Sequence, residues 1–277
     1  ELDLVTVGSG VLSELVSENK YTSGVITVNG TSQADGSKIT KYYGDITRYI
    51  IMPNAGYVVS SIIKPTESVT NPAMTYSITV QHTTDGTISI TLTEQDTWLN
   101  YASEGEVASS GKAEIITANQ LAELAKKILL GQTVAPEIIL KGEIDLSGHN
   151  WFPIGTSENW FNQTFNGDSY TINNMTVVNG TAVGLFGYNN GTVYNVKVNG
   201  TATGGQTVGG VVGFNAGTVS YVANNVTVTG MSELRDNLNA VGGVVGHNAG
   251  FIYASYNTGA VTGSWYVGGI AGFNDTD

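Results

Sequence analysis

The sequence predicts a mainly β protein, in which a small N-terminal β domain is followed by a parallel β-solenoid with one capping α-helix. Three observations favour this architecture. A short glycine-rich phrase recurs through the last third of the chain. The segments between its copies alternate apolar and polar residues, with the period of a half-buried strand. Residues 1–96 carry more charge and less glycine, which indicates a separate domain.

The repeated phrase sets the register of the solenoid. It reads GLFGYNNG, GVVGFNAG, GVVGHNAG and GIAGFND, with copies that begin at Gly184, Gly210, Gly243 and Gly269, spaced 26, 33 and 26 residues apart. One insertion of 7 residues within 231–240, which carries Glu233, Arg235 and Asp236, explains the odd spacing and is expected to form a loop. A 26-residue unit cannot bury its own apolar face, whereas parallel strands stacked about 4.8 Å apart bury a continuous column. A propeller is the alternative, but its blades need about 40 residues.

This register aligns residues of one kind in columns. The predicted columns are Val193, Val219 and Ile252; Ala202, Val228 and Val261; Thr203, Thr229 and Thr262; the aromatic column Tyr188, Phe214, His247 and Phe273; and Asn189, Asn215, Asn248 and Asn274. The asparagines either satisfy the backbone of their own turns or form a buried ladder from rung to rung. His247 is expected to pack as an aromatic ring within its column.

One amphipathic helix is predicted near residues 118–130. Thr117 and Gln120 fit a capping box, Leu121, Leu124 and Ile128 follow at helical spacing, and Gly131 is a stop signal. We expect this helix to precede the solenoid and to cover its open apolar end, which would otherwise be an exposed edge. The predicted organisation is a spacer-like β domain over 1–96, a linker over 97–113 and a solenoid over 114–277, with an imperfect first rung near Ile138.

The phrase resembles the GLUG motif, which occurs in bacterial surface proteins and in non-catalytic regions of IgA-peptidase-like proteins. The preceding stretch, residues 138–177, is similar to the lead into such repeats, with its Trp-Phe-Pro-Ile-Gly segment and its Asn166-Gly167-Asp168 turn. The resemblance covers about 115–277, and it implies a surface location and no reaction. In the first domain, residues 51–59, 76–80 and 85–92 resemble the divergent bacterial repeat related to the internalin B-repeat, a spacer module.

Composition excludes several classes of function. A net charge of −12 with only 11 Lys and Arg disfavours binding to nucleic acid or anionic membranes. The absence of cysteine rules out thiolate chemistry and disulfides, and no apolar run of about 18 residues predicts insertion into a membrane. Charged residues make up only 12% of the chain, as in many extracellular β proteins. The chain ends within a copy of the phrase, so a fragment of a longer polypeptide is expected.

Candidate chemistry is sparse. The histidines, His82, His149 and His247, are not spaced to share a metal ion, and His82 is expected to be exposed beside a turn. Neither a metal nor a cofactor is predicted. A polysaccharide-degrading β-helix enzyme would need paired carboxylates, for which Glu143, Asp145, Glu158 and Asp168 are the best candidates. Asp145 and Asp168 also suit turns, and a calcium ion at either residue stays open.

Aromatic side chains in or beside the turns are the candidate glycan-binding or partner-binding residues: Trp151, Trp160, Tyr253, Tyr256, Trp265 and Tyr266. The sequence favours a non-catalytic structural or adhesive segment of a secreted bacterial cell-surface protein, such as a wall-associated adhesin. A carbohydrate-binding module and a polysaccharide-degrading β-helix enzyme are the alternatives. The expected partner is a glycan or protein of a host surface or of the extracellular space.

Overall fold

A computed structural model describes residues 95–178, 180–231 and 239–275 in full, and before residue 95 the backbone of the strands named below. The chain divides into two compact units, Glu1–Gln95 and Asp96–Asp277. His82 and the charged loop residues Glu233, Arg235 and Asp236 lie outside the described residues, so the expectations for them stay predictions.

The first unit contains antiparallel strand pairs throughout its described residues. Its sheets have the orders β3-β2-β5-β8 and β7-β6-β9, and β1 pairs with β4. These strands are β1 Leu2–Asp3, β2 Gly24–Val28, β3 Thr31–Gln33, β4 Thr40–Lys41, β5 Ile46–Pro53, β6 Tyr57–Ile63, β7 Ser68–Val69, β8 Tyr76–Gln81 and β9 Ser89–Glu94.

The second unit is a parallel β-solenoid of about six turns, with up to four short strands in each turn. We name its four sheets faces A to D, in the order in which the chain visits them. Face A contains β10 Lys112–Ile115, β11 Glu137–Leu140, β13 Thr164–Asn166, β17 Thr192–Tyr194, β21 Thr218–Ser220 and β25 Phe251–Tyr253. Face B contains β12 Ile144–Asp145, β14 Thr171–Val178, β18 Lys197–Gly204, β22 Ala223–Gly230, β26 Tyr256–Asn257 and β27 Val261–Thr262.

Faces C and D complete the later turns. Face C contains β15 Ala182–Val183, β19 Thr207–Gly209, β23 Val241–Gly242 and β28 Val267–Gly268. Face D contains β16 Phe186–Asn189, β20 Val212–Asn215, β24 Val245–Asn248 and β29 Ala271–Asn274. The fold predicted from the repeats is therefore confirmed.

The predicted register is also confirmed. On face A, Val193 pairs with Val219, which pairs with Ile252, and on face B the alanine, valine and threonine columns pair as expected. The 33-residue spacing that contains the insertion brings Thr218 beside Phe251 in the same way that the 26-residue spacing brings Thr192 beside Thr218. Alternate side chains of each strand therefore point into one continuous core.

Residues 97–113, for which the sequence predicts a linker, are part of the folded unit. Trp98–Tyr101 forms a 3-10 turn, the indole Nε1 of Trp98 donates to Leu146 O at 2.9 Å, and Val107 is buried. These apolar side chains are isolated in a polar stretch, so they have no periodicity that a pattern could detect. β10 within this region is the first strand of face A, so the solenoid begins at Lys112, close to the predicted bound at residue 114, and its first rung precedes the one predicted near Ile138.

Helix α1, Ala118–Leu129, lies within the first turn, between β10 and β11, rather than before the solenoid. Its predicted capping box is present: Thr117 Oγ1 accepts from the Gln120 amide at 3.2 Å, and Gln120 Oε1 accepts from the Thr117 amide at 3.3 Å. The buried face of α1, including Leu121 and Leu124, belongs to the same apolar cluster as the interior of the rungs. The helix therefore covers the apolar end of the first rungs.

The carboxylate of Glu123 fastens the preceding loop to this helix. Glu123 is 2% exposed, and its oxygens accept from the backbone amides of Gly105, Glu106 and Val107 at 2.9–3.1 Å, from Ser103 Oγ and from Lys127 Nζ. Burial by itself raises the pKa of Glu123, but the hydrogen bonds from Lys127, Ser103 and Val107 outweigh burial and hold the pKa below its ordinary value of 4.5. The ionised form is therefore the form that stabilises the fold.

We expect Glu123→Gln to lower the free energy of unfolding by about 2 kcal/mol at neutral pH. The glutamine amide nitrogen is a donor, so it cannot accept the hydrogen bonds that the backbone N–H groups donate to the carboxylate. Since the folded pKa lies below 4.5, the contribution of the carboxylate is present above pH 4.5 and is lost as the pH falls through the folded value. Urea unfolding at a series of pH values measures this, with Glu106→Gln, an exposed residue of the same loop, as control. A difference between wild type and variant that is independent of pH would contradict the assignment.

A row of asparagines runs along the corner between faces D and A. Nδ2 of Asn189, Asn215 and Asn248 donates to Oδ1 of the asparagine in the next rung at 2.7 Å in each case, and the row ends at Asn274. The same amides also donate to carbonyls of their own turns, at Gly191, Gly217 and Gly250. Both roles predicted for this column are therefore present at once.

The glycines of the repeated phrase lie where two stretches of backbone approach closely. A Cβ on Gly213 of β20 would lie 2.6 Å from Val183 N and 2.7 Å from Ala182 C of β15. Real Cβ atoms essentially never come so close to other atoms. Faces C and D are therefore packed at a distance that only glycine permits.

Candidate binding surface

Trp151 belongs to the core. Its side chain is 2% exposed, and its indole Nε1 donates to Leu185 O at 3.0 Å inside the solenoid. A tryptophan can be buried completely when its N–H finds an acceptor, and the Leu185 carbonyl provides one. This corrects the prediction that placed Trp151 among the glycan-binding or partner-binding residues.

Two of the predicted aromatics, Trp160 and Tyr266, lie at opposite ends of a row of rings on face D. The Trp160 centroid is 5.1 Å from that of Tyr188, and Tyr266 contacts Phe273 at 5.3 Å. The row consists of Trp160, Tyr188, Phe214, His247, Phe273 and Tyr266. These rings pack mainly on one another, so the row stabilises the stacking of the rungs. Trp265 is next to its end and is partly exposed.

His247 takes the place of an aromatic ring in this row, as predicted. It is 3% exposed and stacks on Phe214 with centroids 4.5 Å apart and an interplanar angle of 22°. Its Nε2 lies 2.9 Å from Asp275 Oδ2 at the edge of the solenoid. Stacking and this pair account for a buried histidine without a ligand role.

Four aromatic side chains are exposed together where face A turns into face B. We call this set the aromatic corner. Its members and exposed fractions are Tyr221 60%, Phe251 72%, Tyr253 52% and Tyr256 58%. Tyr221 and Tyr253 contact each other edge to face, with centroids 6.0 Å apart. The structure thus separates Tyr253 and Tyr256 from the other predicted binding residues and joins them to two residues that were not predicted.

The surface around the aromatic corner is nearly uncharged. Among the described residues from 180 to 274, Lys197 is the one Lys, Arg, Asp or Glu. Lys197 pairs with Ala223, which pairs with Tyr256, so it lies two rungs from the corner on the same column. Thr218 occupies the position next to Phe251 on face A, and Ser220, next to Tyr253, is buried. The surface therefore offers rings and hydroxyl groups rather than charges.

Three of the four candidate carboxylates bind neighbouring groups of the chain, mostly in an adjacent rung. Glu143 Oε2 accepts from the Thr171 amide at 2.8 Å, and Asp145 Oδ1 accepts from the Ser147 amide and from Asn174 Nδ2 at 2.9 Å. The Asn174 bond is the largest influence that lowers the pKa of Asp145. Asp168 adopts a turn conformation with φ +48°, 3.4 Å from Lys141 Nζ, and Glu158 is exposed.

Two general features bear on ligands and membranes. Within residues 95–178, 180–231 and 239–275, no group of three or more histidine and acidic side chains is placed to hold a metal ion. In the part of the chain that the structure describes, no helix is long and apolar enough to cross a membrane.

Sequence reasoning missed Tyr221 and Phe251, although the register contained the signal for one of them. Phe251 precedes the inward-facing Ile252, and its column holds Thr192 and Thr218 in the earlier rungs. An outward position that changes from threonine to phenylalanine marks an exposed aromatic. Tyr221 is at a corner with φ +53°, where strand alternation ends, so no periodicity indicates its direction.

Comparison of the chain with models of protein families and with curated proteins finds no match. Among solved structures, it is similar to a Bacteroides ovatus protein described as a candidate immunoglobulin A1 protease. The two share 21% sequence identity with a TM-score of 0.47, and the similarity covers 64% of this chain. It covers 66% of that chain, a little under two thirds of its length.

Proposed function

We propose that the chain is a non-catalytic structural and adhesive segment of a secreted bacterial cell-surface protein. The observation that carries the proposal is the contrast between interior and surface. The most regular columns, which are apolar, glycine and asparagine, hold the rungs together. The four rings of the aromatic corner, in contrast, are 52–72% exposed.

The proposal includes a family placement for each unit. We assign the repeats of the second unit to the GLUG type and the first unit to the spacers related to the internalin B-repeat. The glycine and asparagine positions of the repeated phrase support the first assignment, because each asparagine of the row bonds to a neighbouring rung and a Cβ on any glycine of the phrase except Gly269 would lie within 3.0 Å of a neighbouring atom. A low charge content of 12% supports an extracellular location.

Surface location can be tested on intact bacteria that express the parent protein. Antibodies raised against Asp96–Asp277 are expected to label intact cells as strongly as permeabilised cells. An antibody against a cytoplasmic protein of the same cells controls for leakage. Labelling that appears only after permeabilisation, or recovery of the protein in the cytoplasmic fraction, would contradict the proposal.

The aromatic corner favours a carbohydrate-binding module as the second candidate function. Exposed tyrosine rings on a rigid, uncharged sheet are suited to partners that are both apolar and rich in hydroxyl groups. The two candidates are compatible, since an adhesive segment can act by binding a glycan.

A further inference from the structure

We propose that Tyr221, Phe251, Tyr253 and Tyr256 form a binding surface for an uncharged polysaccharide. The inference rests on the adhesive function proposed above and names the surface and the class of ligand. The proposed surface does not include Trp151, which is buried, or the face D row, whose rings pack against one another.

Large rings are not required for packing at these positions. Phe251 and Tyr253 lie on either side of Ile252 in β25, where the rung before has Thr218 and Ser220 and the one before that has Thr192 and Tyr194. A small polar residue is therefore sufficient for the strand. Four large rings that are 52–72% exposed contribute little to the core, so their side chains need another explanation.

The backbone of Tyr221 provides an independent indication. Its φ is +53°, in the left-handed region, which is strained for a bulky residue. The same corner is occupied by Asn195, a residue that tolerates this conformation, in the rung before. A tyrosine that is strained and 60% exposed lowers stability without burial in return. Tyr266 also has a positive φ, but its ring packs on Phe273.

The charge distribution selects the class of ligand. The net charge of the chain is −12, which disfavours an anionic polysaccharide, and no acidic side chain among residues 180–231 and 239–274 would pair with a cationic one. One face of a pyranose ring presents C–H groups and its rim presents hydroxyls. Tyrosine rings match the first through apolar contact, and the phenol and threonine hydroxyls match the second through hydrogen bonds.

The corner is also rigid before any ligand arrives. Each of its segments is bonded to the next rung or the previous one, with Tyr221 N donating to Tyr253 O at 3.3 Å and Tyr256 N donating to Val222 O at 3.0 Å. A preorganised surface loses little conformational entropy on binding. This favours weak but repeated contacts along a polymer, in which neighbouring sugar units bind adjacent rings.

The chain itself provides the residues for a test that preserves the fold. A fourfold variant, Tyr221→Asn, Phe251→Thr, Tyr253→Ser and Tyr256→Ala, replaces each ring with the residue found in the same column of an earlier rung. Tyr101→Ala is the control, since it removes an exposed aromatic of the 3-10 turn that precedes β10, away from the corner. Thermal unfolding of both variants verifies that they are folded.

Affinity electrophoresis of the whole chain in gels that contain a β-glucan, a mannan, a xylan or a galactan measures binding, with polygalacturonate as the anionic comparison. We expect at least one neutral polysaccharide to retard the wild type and Tyr101→Ala equally. The fourfold variant should bind about tenfold or more weakly. Equal retardation of the fourfold variant, no retardation by any neutral polymer, or stronger retardation by polygalacturonate would overturn the inference. Labelling of intact cells together with any of these results would leave the surface function standing.

Discussion

Replacement of Gly243 by alanine is expected to lower the free energy of unfolding of the solenoid by about 3 kcal/mol, the upper range for overpacking. A Cβ at this position would come within 3.0 Å of Gly269 O and of Asn257 Nδ2. Since the first atom belongs to the backbone of the next rung, it cannot move aside without breaking the pairing of β24 with β29. The strain therefore falls on the contact between two rungs.

Gly269→Ala is a closely matched control for this experiment. Gly269 begins the fourth copy of the phrase as Gly243 begins the third, but a Cβ there has no atom within 4 Å. We expect this variant to unfold with wild-type stability. All four tryptophans of the chain lie in the second unit, so their fluorescence during urea unfolding reports the solenoid alone. Equal stability of the two variants would show that the close approach does not exist in solution.

Replacement of Asn215 by leucine is expected to cost about 3 kcal/mol or more, because it interrupts the asparagine row at its centre. Asn189 Nδ2 loses the shorter of its two hydrogen bonds and keeps Gly191 O, Asn248 Oδ1 loses the Asn215 amide donor, and both side chains are buried. A buried polar atom without a partner costs about 1–3 kcal/mol. Leucine has the same number of side-chain heavy atoms as asparagine and the same branch at Cγ, so the loss reports hydrogen bonding more than shape.

Asn274→Leu separates this effect from the general cost of changing an asparagine in the phrase. Asn274 is exposed at the last rung, and Asn248 Nδ2 keeps its second acceptor, Gly250 O, when Asn274 is replaced. We expect a loss of less than about 1 kcal/mol. A loss at Asn274 as large as that at Asn215 in tryptophan-monitored unfolding would argue against a buried hydrogen-bonded row.

Repetition explains how far the sequence predicts this fold. Each copy of the phrase supplies another test of the register, so the columns on faces A and B and the place of His247 among the aromatic rings are predicted correctly. The helix is found at Ala118–Leu129 because the capping box and the apolar spacing agree on its start. Features supported by several copies or by two signals are therefore predictable.

Features that occur once are harder to predict. The 97–113 segment folds through single contacts, such as that of Trp98 with Leu146 O, and a single apolar residue in a polar stretch has no pattern. The burial of Trp151 depends on one carbonyl, Leu185 O, that comes from a later turn. In the candidate site, Tyr253 and Tyr256 are found by residue type. Their proximity to Tyr221 depends on the backbone geometry of the corner between faces A and B, which the sequence pattern does not reveal.

The asparagine row has a consequence for how repeats of this kind can change. Successive asparagines are 26, 33 and 26 residues apart along the chain, yet the amide of each meets the next at the same distance of 2.7 Å. The row thus fixes the spacing between rungs along the solenoid axis, whatever the length of chain between successive asparagines. Loops of new length and composition can be inserted between two asparagines while the rung spacing stays constant. The surface loops of such a solenoid can therefore diversify without a change in its stacked core.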